Sequence, residues 1–414
     1  MEKNNISGQF FSFETDRCGN GGTELVIWLP EKMGEKSEIA VIAMHAGGYT
    51  NFTPMKAMAE RGFIAAGVSS KDRSMQGLLH AMNLAIQEVK ARTNAKKIIL
   101  MAHSQGGCIL SLYQYIAENG TGRFTKYIDR LVPFPEIEAL IPADGLMLLD
   151  GNYGIMSVMA LDPGVRVLDG SYERIPELDI FNPDNGYRPG ASHYPDDFIR
   201  AYQKAQIALY KSLLSYAKER REAIQSGKSH FKDDEPVLIP GGAGGSSNNK
   251  PFIMDSRLLG RTAKPRMLLH PNGSWTEEIV YTNRERPDSV PSWLYRGAAK
   301  TTVMQLLQGE MRFSDDFGYD DCHIWGIDED FLHYSTRENV KYIHVPLICQ
   351  GNTASHEFVN MEITYENAVS LDKEYFASLG SCHDFAPVSP EYDGIGERIY
   401  DHLAEWAGKE GRFL

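Results

Sequence analysis

The stretch Lys97-Ile98-Ile99-Leu100-Met101-Ala102-His103-Ser104-Gln105-Gly106-Gly107 decides how the rest of the chain reads. Lys97 to Met101 is a short apolar run of the kind that forms a strand buried on both faces. Gly106 to Ile116 is longer and mostly apolar, which predicts a helix directly behind it. Only a sharp bend fits between the two. Small residues two before and two after Ser104 let the backbone fold tightly and push the hydroxyl into the open. The helix start at Gln105-Gly106-Gly107 supplies N–H groups with no intrahelical partner, available to a developing oxyanion. The competing reading is a buried serine that caps the helix. The strand–turn–helix setting favours the presented hydroxyl.

Outward from this bend, the first ~150 residues alternate strand-like and helix-like segments, the pattern of a mostly parallel sheet covered by helices on both faces. Phe10 to Phe13 and Glu24 to Leu29 predict an opening hairpin. Ile39 to Met44 and Phe63 to Val68 predict buried strands, with a helix over Met55 to Arg61 between them. Leu78, Met82, Ile86 and Val89 mark one face of a helix over Met75 to Ala91. Leu146 to Leu149 is a further strand. Regularity returns late, with strands at Val345 to Cys349 and Tyr375 to Leu379 and a closing helix marked by Ile395, Ile399, Leu403 and Trp406. The reading therefore divides the chain into a core over 1–150, an insertion over 151–342 and a second core segment over 343–414.

The insertion has mixed character. Phe198, Tyr202, Ala205, Leu209, Leu213 and Tyr216 form a helical stripe expected to pack within the insertion. Pro240 to Asn249 is flexible by composition. Arg266 to Leu269 and Glu277 to Tyr281 flank Pro271-Asn272-Gly273 and predict a hairpin. Asp315, Asp316, Asp320, Asp321, Asp328, Glu329 and Asp330, with His323 and His333 nearby, lack the spacing of a calcium loop or tight zinc site and read as solvated acids. The aromatics Trp275, Trp293, Tyr295, Trp325, Phe331 and Tyr334 read as core, with a few lining a pocket.

At 414 residues the chain exceeds one ordinary core. Its 42% hydrophobic and 23% charged residues are a globular balance. A formal charge of −13 with no basic stripe argues against a nucleic-acid partner. The 5 cysteines (Cys18, Cys108, Cys322, Cys349, Cys382) are scattered, which suits free thiols in a reducing compartment. No signal-like apolar core follows Met1, and no apolar run approaches the ~20 residues of a membrane span. A cytoplasmic protein is expected, and a homodimer stays open.

Three further sets of residues complete a site. His45-Ala46-Gly47-Gly48-Tyr49 follows the strand Ile39–Met44, where a second oxyanion donor would pair with the Gln105 N–H; Gly47 is the first choice, with Ala46 and Gly48 as neighbours. His383, in Gly380-Ser381-Cys382-His383-Asp384-Phe385 after the last strand, stands at the carboxyl edge of the sheet as a general base. His103 is expected to point elsewhere and His45 to be structural. The carboxylate that would orient His383 is open: Asp150 at a strand end before Gly151, with Glu362 and Glu357 as alternatives.

The HAGG loop, the AHSQG bend and the late GSCHDF histidine together resemble the α/β-hydrolase superfamily of serine esterases and lipases, over roughly 10–150 and 343–410. The resemblance implies an eight-stranded sheet, a cap after the sixth strand, and hydrolysis through an acyl-enzyme without cofactor or metal. Ser104, His383 and Asp150 would form the triad. Ala102 in place of glycine and the lack of an early carboxylate in Gly351–His356 depart from the family pattern. The expected substrate is a small to medium, largely apolar ester, lactone or related acyl compound. The same triad would serve an acyltransferase or a carbon–carbon bond hydrolase. A non-catalytic ligand-binding protein on this scaffold is the rival from another class.

Overall fold

The computed structural model describes residues 3–14, 22–152, 154, 161–168, 171–188, 192–240, 260–283, 298–355 and 357–414. Strand β3 (Ile39–Met44) shows why the centre of the fold is a sheet covered twice. Successive side chains of a strand point to opposite faces, and all six of its residues are buried. Ala40, Ile42 and Met44 join one core with Leu78, Met82 and Ile109. Ile39, Val41 and Ala43 join the other with Met58, Leu403 and Trp406. The first core lies under helices α2 (Met75–Arg92) and α3 (Gly106–Asn119). The second lies under α1 (Thr53–Glu60) and the closing helix Ile395–Ala407.

The other strands of the sheet are β1 (Ile6–Glu14), β2 (Gly22–Pro30), β4 (Ile64–Ser70), β5 (Lys97–His103), β6 (Gly145–Leu149), β7 (Arg266–Leu269), β8 (Trp275–Glu278), β9 (Leu347–Asn352) and β10 (Lys373–Ser378). In space they run β1-β2-β4-β3-β5-β6-β9-β10-β7-β8. Neighbours from β4 through β7 are parallel, while β2 is antiparallel to β1 and β4, and β8 is antiparallel to β7.

Two expectations change here. Among the described residues the sheet has ten strands rather than eight. The added pair is the hairpin around Pro271-Asn272-Gly273, expected inside the cap but paired with the core sheet through Leu268↔Ala377 and Leu269↔Ser378. The physical reason is visible in adjacent residues: Leu268 is buried in one core and Leu269 in the other. A strand with two apolar faces is stable only where both are covered. The stretch 151–342 is therefore not a wholly separate insertion.

The rest of that stretch packs beside the sheet. A 30-residue helix, Asp196–Gln225, packs on the helix Val303–Gln308 and the strand Phe313–Tyr319. Its stripe is buried at Phe198 and Tyr202, half-buried at Ala205, Leu209 and Leu213, and exposed by Tyr216. Residues 241–249 of the Gly/Ser-rich segment, with Trp293 and Tyr295, lie outside the described residues.

Candidate active site

β5 ends at His103 and α3 begins at Gly106, so one turn carries Ser104 and Gln105. Ser104 has φ +56°, a left-handed conformation that is uncommon for a non-glycine residue. The bend is packed as tightly as its sequence implies. A Cβ at Gly106 would stand 2.5 Å from the Met44 carbonyl oxygen. A Cβ at Gly107 would meet the Gly151–Asn152 backbone at 3.1–3.2 Å. The Asn152 N–H donates to the Ser104 carbonyl at 2.8 Å, tying the bend to the segment after β6. Ala102, the departure from glycine, is fully buried in the core without displacing the turn.

Asp150 and His383, 233 residues apart, meet at His383 Nδ1 and Asp150 Oδ2, 2.5 Å from one another. Asp150 follows β6 with φ +44° and a fully buried side chain. Its other oxygen accepts the Asn352 N–H at 3.1 Å. Burial opposes charge on Asp150, yet His383 holds its carboxyl below the ordinary value. Burial likewise disfavours charge on the His383 ring, and Asp150 outweighs it, raising His383 above its ordinary value. The turn that presents His383 closes through Cys382 N–H to the Ala386 carbonyl and Phe385 N–H to the Cys382 carbonyl, at 2.8 and 2.9 Å.

The other two carboxylates are occupied elsewhere. Glu362 pairs with Arg266 at 2.8 Å and accepts the Ala263 and Lys264 amides, which fixes β7 rather than a histidine. Glu357 accepts from the Asn152 and Asn360 side chains.

The bend and the His383 loop are joined through His103. Its Nε2 lies 2.7 Å from the His383 carbonyl oxygen, which requires a proton on that nitrogen, and its Nδ1 accepts from the Tyr49 hydroxyl at 2.5 Å. The two imidazole centroids are 4.5 Å apart. Burial, with the nearby His383, pushes His103 down to about 3, so it stays neutral. The Ser104 hydroxyl makes no hydrogen bond among the described residues.

The loop after β3 alters one expectation. The Gly47 N–H donates to His45 Nδ1 at 2.8 Å and the Gly48 N–H to the His45 carbonyl at 2.9 Å. Both amides are used, so neither is available to an oxyanion in this arrangement. Ala46, which lines the cavity together with Gln105, replaces Gly47 as the candidate donor. Burial, with His383 and Arg73 nearby, pushes His45 down to about 4, so its ring is a neutral acceptor.

Strand order and a serine bend after β5 settle the architecture. The chain has the α/β-hydrolase fold. No protein-family model matches the chain, and no curated protein does. It is similar to several solved structures. One is a hypothetical protein, PA2218, from Pseudomonas aeruginosa (13% identity, 97% of this chain and 93% of that one, TM-score 0.44). Another is Est1E from Butyrivibrio proteoclasticus (10% identity, 97% of each chain, TM-score 0.40). A third is a soluble variant of monoglyceride lipase from Saccharomyces cerevisiae in complex with a substrate analog (12% identity, 99% and 96%, TM-score 0.41).

Within this hydrolase fold a cavity of about 570 Å³ opens beside Ala46 and Gln105. Leu78, Ile109, Val132, Phe134, Met311 and Tyr334 give it apolar walls. Of the other aromatics, Phe331 is buried core, while Trp275 packs at the sheet edge against Phe376. Trp325 is partly exposed, and its indole N–H donates to the Asp316 carbonyl.

Asp320, Asp321, Cys322 and His323 lie closer together than their spacing implied, with ligand atoms within 4.8 Å of one another. Asp320 there accepts the Cys322 and His323 amides. No helix among the described residues is long and apolar enough to cross a membrane.

Sequence reasoning missed three supports of the site. Ser355 places its hydroxyl 3.4 Å from His383 Nδ1, the Asn352 amide holds Asp150, and Tyr49 holds His103. Only a hydroxyl early in the loop after β9 hinted at the first.

Proposed function

We propose that the chain is a serine hydrolase that cleaves an ester, lactone or related acyl bond of a small to medium substrate through an acyl-enzyme. The observation that carries this reading is the buried Asp150 bonded to His383 Nδ1, on a loop held against the left-handed Ser104 turn. With Nδ1 committed, Nε2 is the nitrogen that takes the Ser104 proton as Oγ attacks the carbonyl carbon. Charge then grows on the carbonyl oxygen. Gln105 and Ala46 line the cavity, and their backbone N–H groups would donate to that oxygen. His383 returns the proton to the leaving group, and water repeats the sequence to free the acid. Asp150 stabilises the imidazolium that forms twice in the cycle.

The apolar cavity walls support an acyl compound with a substantial hydrocarbon part. The segments of 151–342 outside β7 and β8 act as the cap in this reading. This reading takes a small molecule as the substrate, and none of its steps calls on a metal or cofactor.

A panel of p-nitrophenyl esters of increasing acyl length tests the proposal. Wild type is expected to turn over at least one member, with a loss of at least ~10³-fold in Ser104→Ala. Equal turnover by the two proteins would remove Ser104 from the chemistry.

A further inference from the structure

The cavity wall carries a cation with no ion-pair partner among the described residues. Arg130 lines the cavity and is 9% exposed. Its Nε donates to the Phe124 carbonyl at 3.3 Å, a second N–H donates to the Phe331 carbonyl, and the guanidinium lies 3.9 Å over the Phe331 ring. Two carbonyls and a ring face orient the group without neutralising it, and Glu310 attracts it from beyond ion-pair distance. Among the described residues no carboxylate comes within the 4.0 Å of an ion pair with it, whereas neighbouring Arg312 pairs with Asp129 and Arg123 reaches toward Asp330. A guanidinium has five N–H donors in a fixed fork. Arg130 spends two of them on the carbonyls named above.

A second observation points to the same wall. His333 lines the cavity, is 8% exposed, and has a buried Nδ1 with no hydrogen-bond partner. Its ring packs on Phe134 and Tyr334. A buried polar atom left unpaired is costly and calls for an explanation. Burial, with the charges of Arg130 and Arg123, pushes His333 down to about 3, so it is a neutral hydrogen-bonding group at working pH. Glu310 also lines the cavity, but its carboxylate accepts the Leu131 N–H at 2.8 Å and forms no ion pair with Arg130.

We propose that the cavity selects acyl compounds that carry a carboxylate, bound by Arg130 with His333 beside it, at the end of an apolar segment reaching back to Ser104. This rests on the hydrolase reading given above. A carboxylate matches the guanidinium fork and brings a single charge. A doubly charged phosphate would meet the same single guanidinium with the Glu310 carboxylate also lining the cavity.

The test compares the p-nitrophenyl hemiester of glutaric acid with the neutral p-nitrophenyl pentanoate, by kcat/KM on wild type and by calorimetric binding to Ser104→Ala. A charge-assisted bond of this type predicts a preference of roughly 10- to 100-fold for the hemiester, carried mostly in KM. In Arg130→Gln the ratio of the two esters is expected to fall toward one. In His333→Phe it falls by a smaller factor. Raising salt leaves a buried preference largely in place.

Equal use of the two esters by wild type overturns the carboxylate site, while turnover of the neutral ester leaves the hydrolase reading standing. Absence of turnover with a retained binding preference overturns the hydrolase reading and keeps the anion site. Tighter binding of the matching phosphate monoester than of the hemiester also overturns the carboxylate assignment. The wild-type comparison holds even if Arg130→Gln fails to fold.

Discussion

Replacing Asp150 with asparagine is expected to abolish most of the activity and leave the fold intact. The residue sits at φ +44°, a region that asparagine tolerates far better than alanine. Asp150→Asn therefore keeps the backbone and changes the chemistry alone. The amide removes the negative charge 2.5 Å from His383 Nδ1 and can present an N–H there, which forces the ring into the tautomer with its proton on Nε2. That tautomer cannot accept the Ser104 proton. Opposite unit charges at this separation attract by about 7 kcal/mol at an effective dielectric of ~20. Part of that attraction offsets the cost of burying both groups. A loss of kcat by roughly 10³- to 10⁴-fold, about 4 to 5.5 kcal/mol, lies within it.

The same substitution moves the pH profile, and the sign follows from the pairing. Attack by this route needs neutral His383, so kcat/KM falls as pH drops through the His383 value, which Asp150 holds above that of an ordinary histidine. Without the carboxylate the ring binds its proton less tightly, and the acid limb moves to lower pH. Stopped-flow ester hydrolysis between pH 5 and 9 on the two proteins reads both effects. An Asp150→Asn variant with near-normal kcat and an unmoved acid limb would remove Asp150 as the orienting acid.

Glu362→Gln is expected to destabilise the protein by about 2–4 kcal/mol in urea, since it weakens a buried pair with Arg266, while kcat changes less than threefold; a large kcat loss with unchanged stability would reinstate it as the orienting acid. Gly106→Ala drives a Cβ to 2.5 Å from the Met44 carbonyl, so it is expected to cost about 1–3 kcal/mol of stability and at least tenfold in kcat, and equal thermal melts and rates would contradict the packing of the bend. Ser355→Ala removes the hydroxyl 3.4 Å from His383 Nδ1 and leaves Asp150 in place, so kcat is expected to fall three- to tenfold, with an acid limb that stays above that of Asp150→Asn; a loss as deep as that of Asp150→Asn would mean that Ser355, not the carboxylate, sets the ring.

Continuous apolar runs such as Ile39–Met44 and Lys97–Met101 were legible because a strand covered on both faces needs apolar residues at successive positions. The Ser104 bend was legible for a similar reason, since small residues there answer a local steric demand. The place of the Arg266–Leu269 hairpin was not. Its turn is coded locally, but which edge it joins depends on contacts with Ala377 and Ser378 far along the chain. The orienting acid shows the same limit. Asp150, Glu357 and Glu362 are all carboxylates near strand ends or the loop after β9, and only the path of the chain brings Asp150 to His383. Ala46 displaced Gly47 because a histidine side chain two residues away captured the glycine amide, a rotamer choice that composition does not encode.

In the proposed mechanism Ser104 is a nucleophile driven by His383. Reaction with a fluorophosphonate, followed by intact mass and peptide mapping, reads that pairing. A single phosphonyl adduct on the peptide containing Ser104 is expected, forming at least ~10³-fold more slowly in His383→Ala. An adduct on another residue, or a labelling rate indifferent to His383, would contradict it.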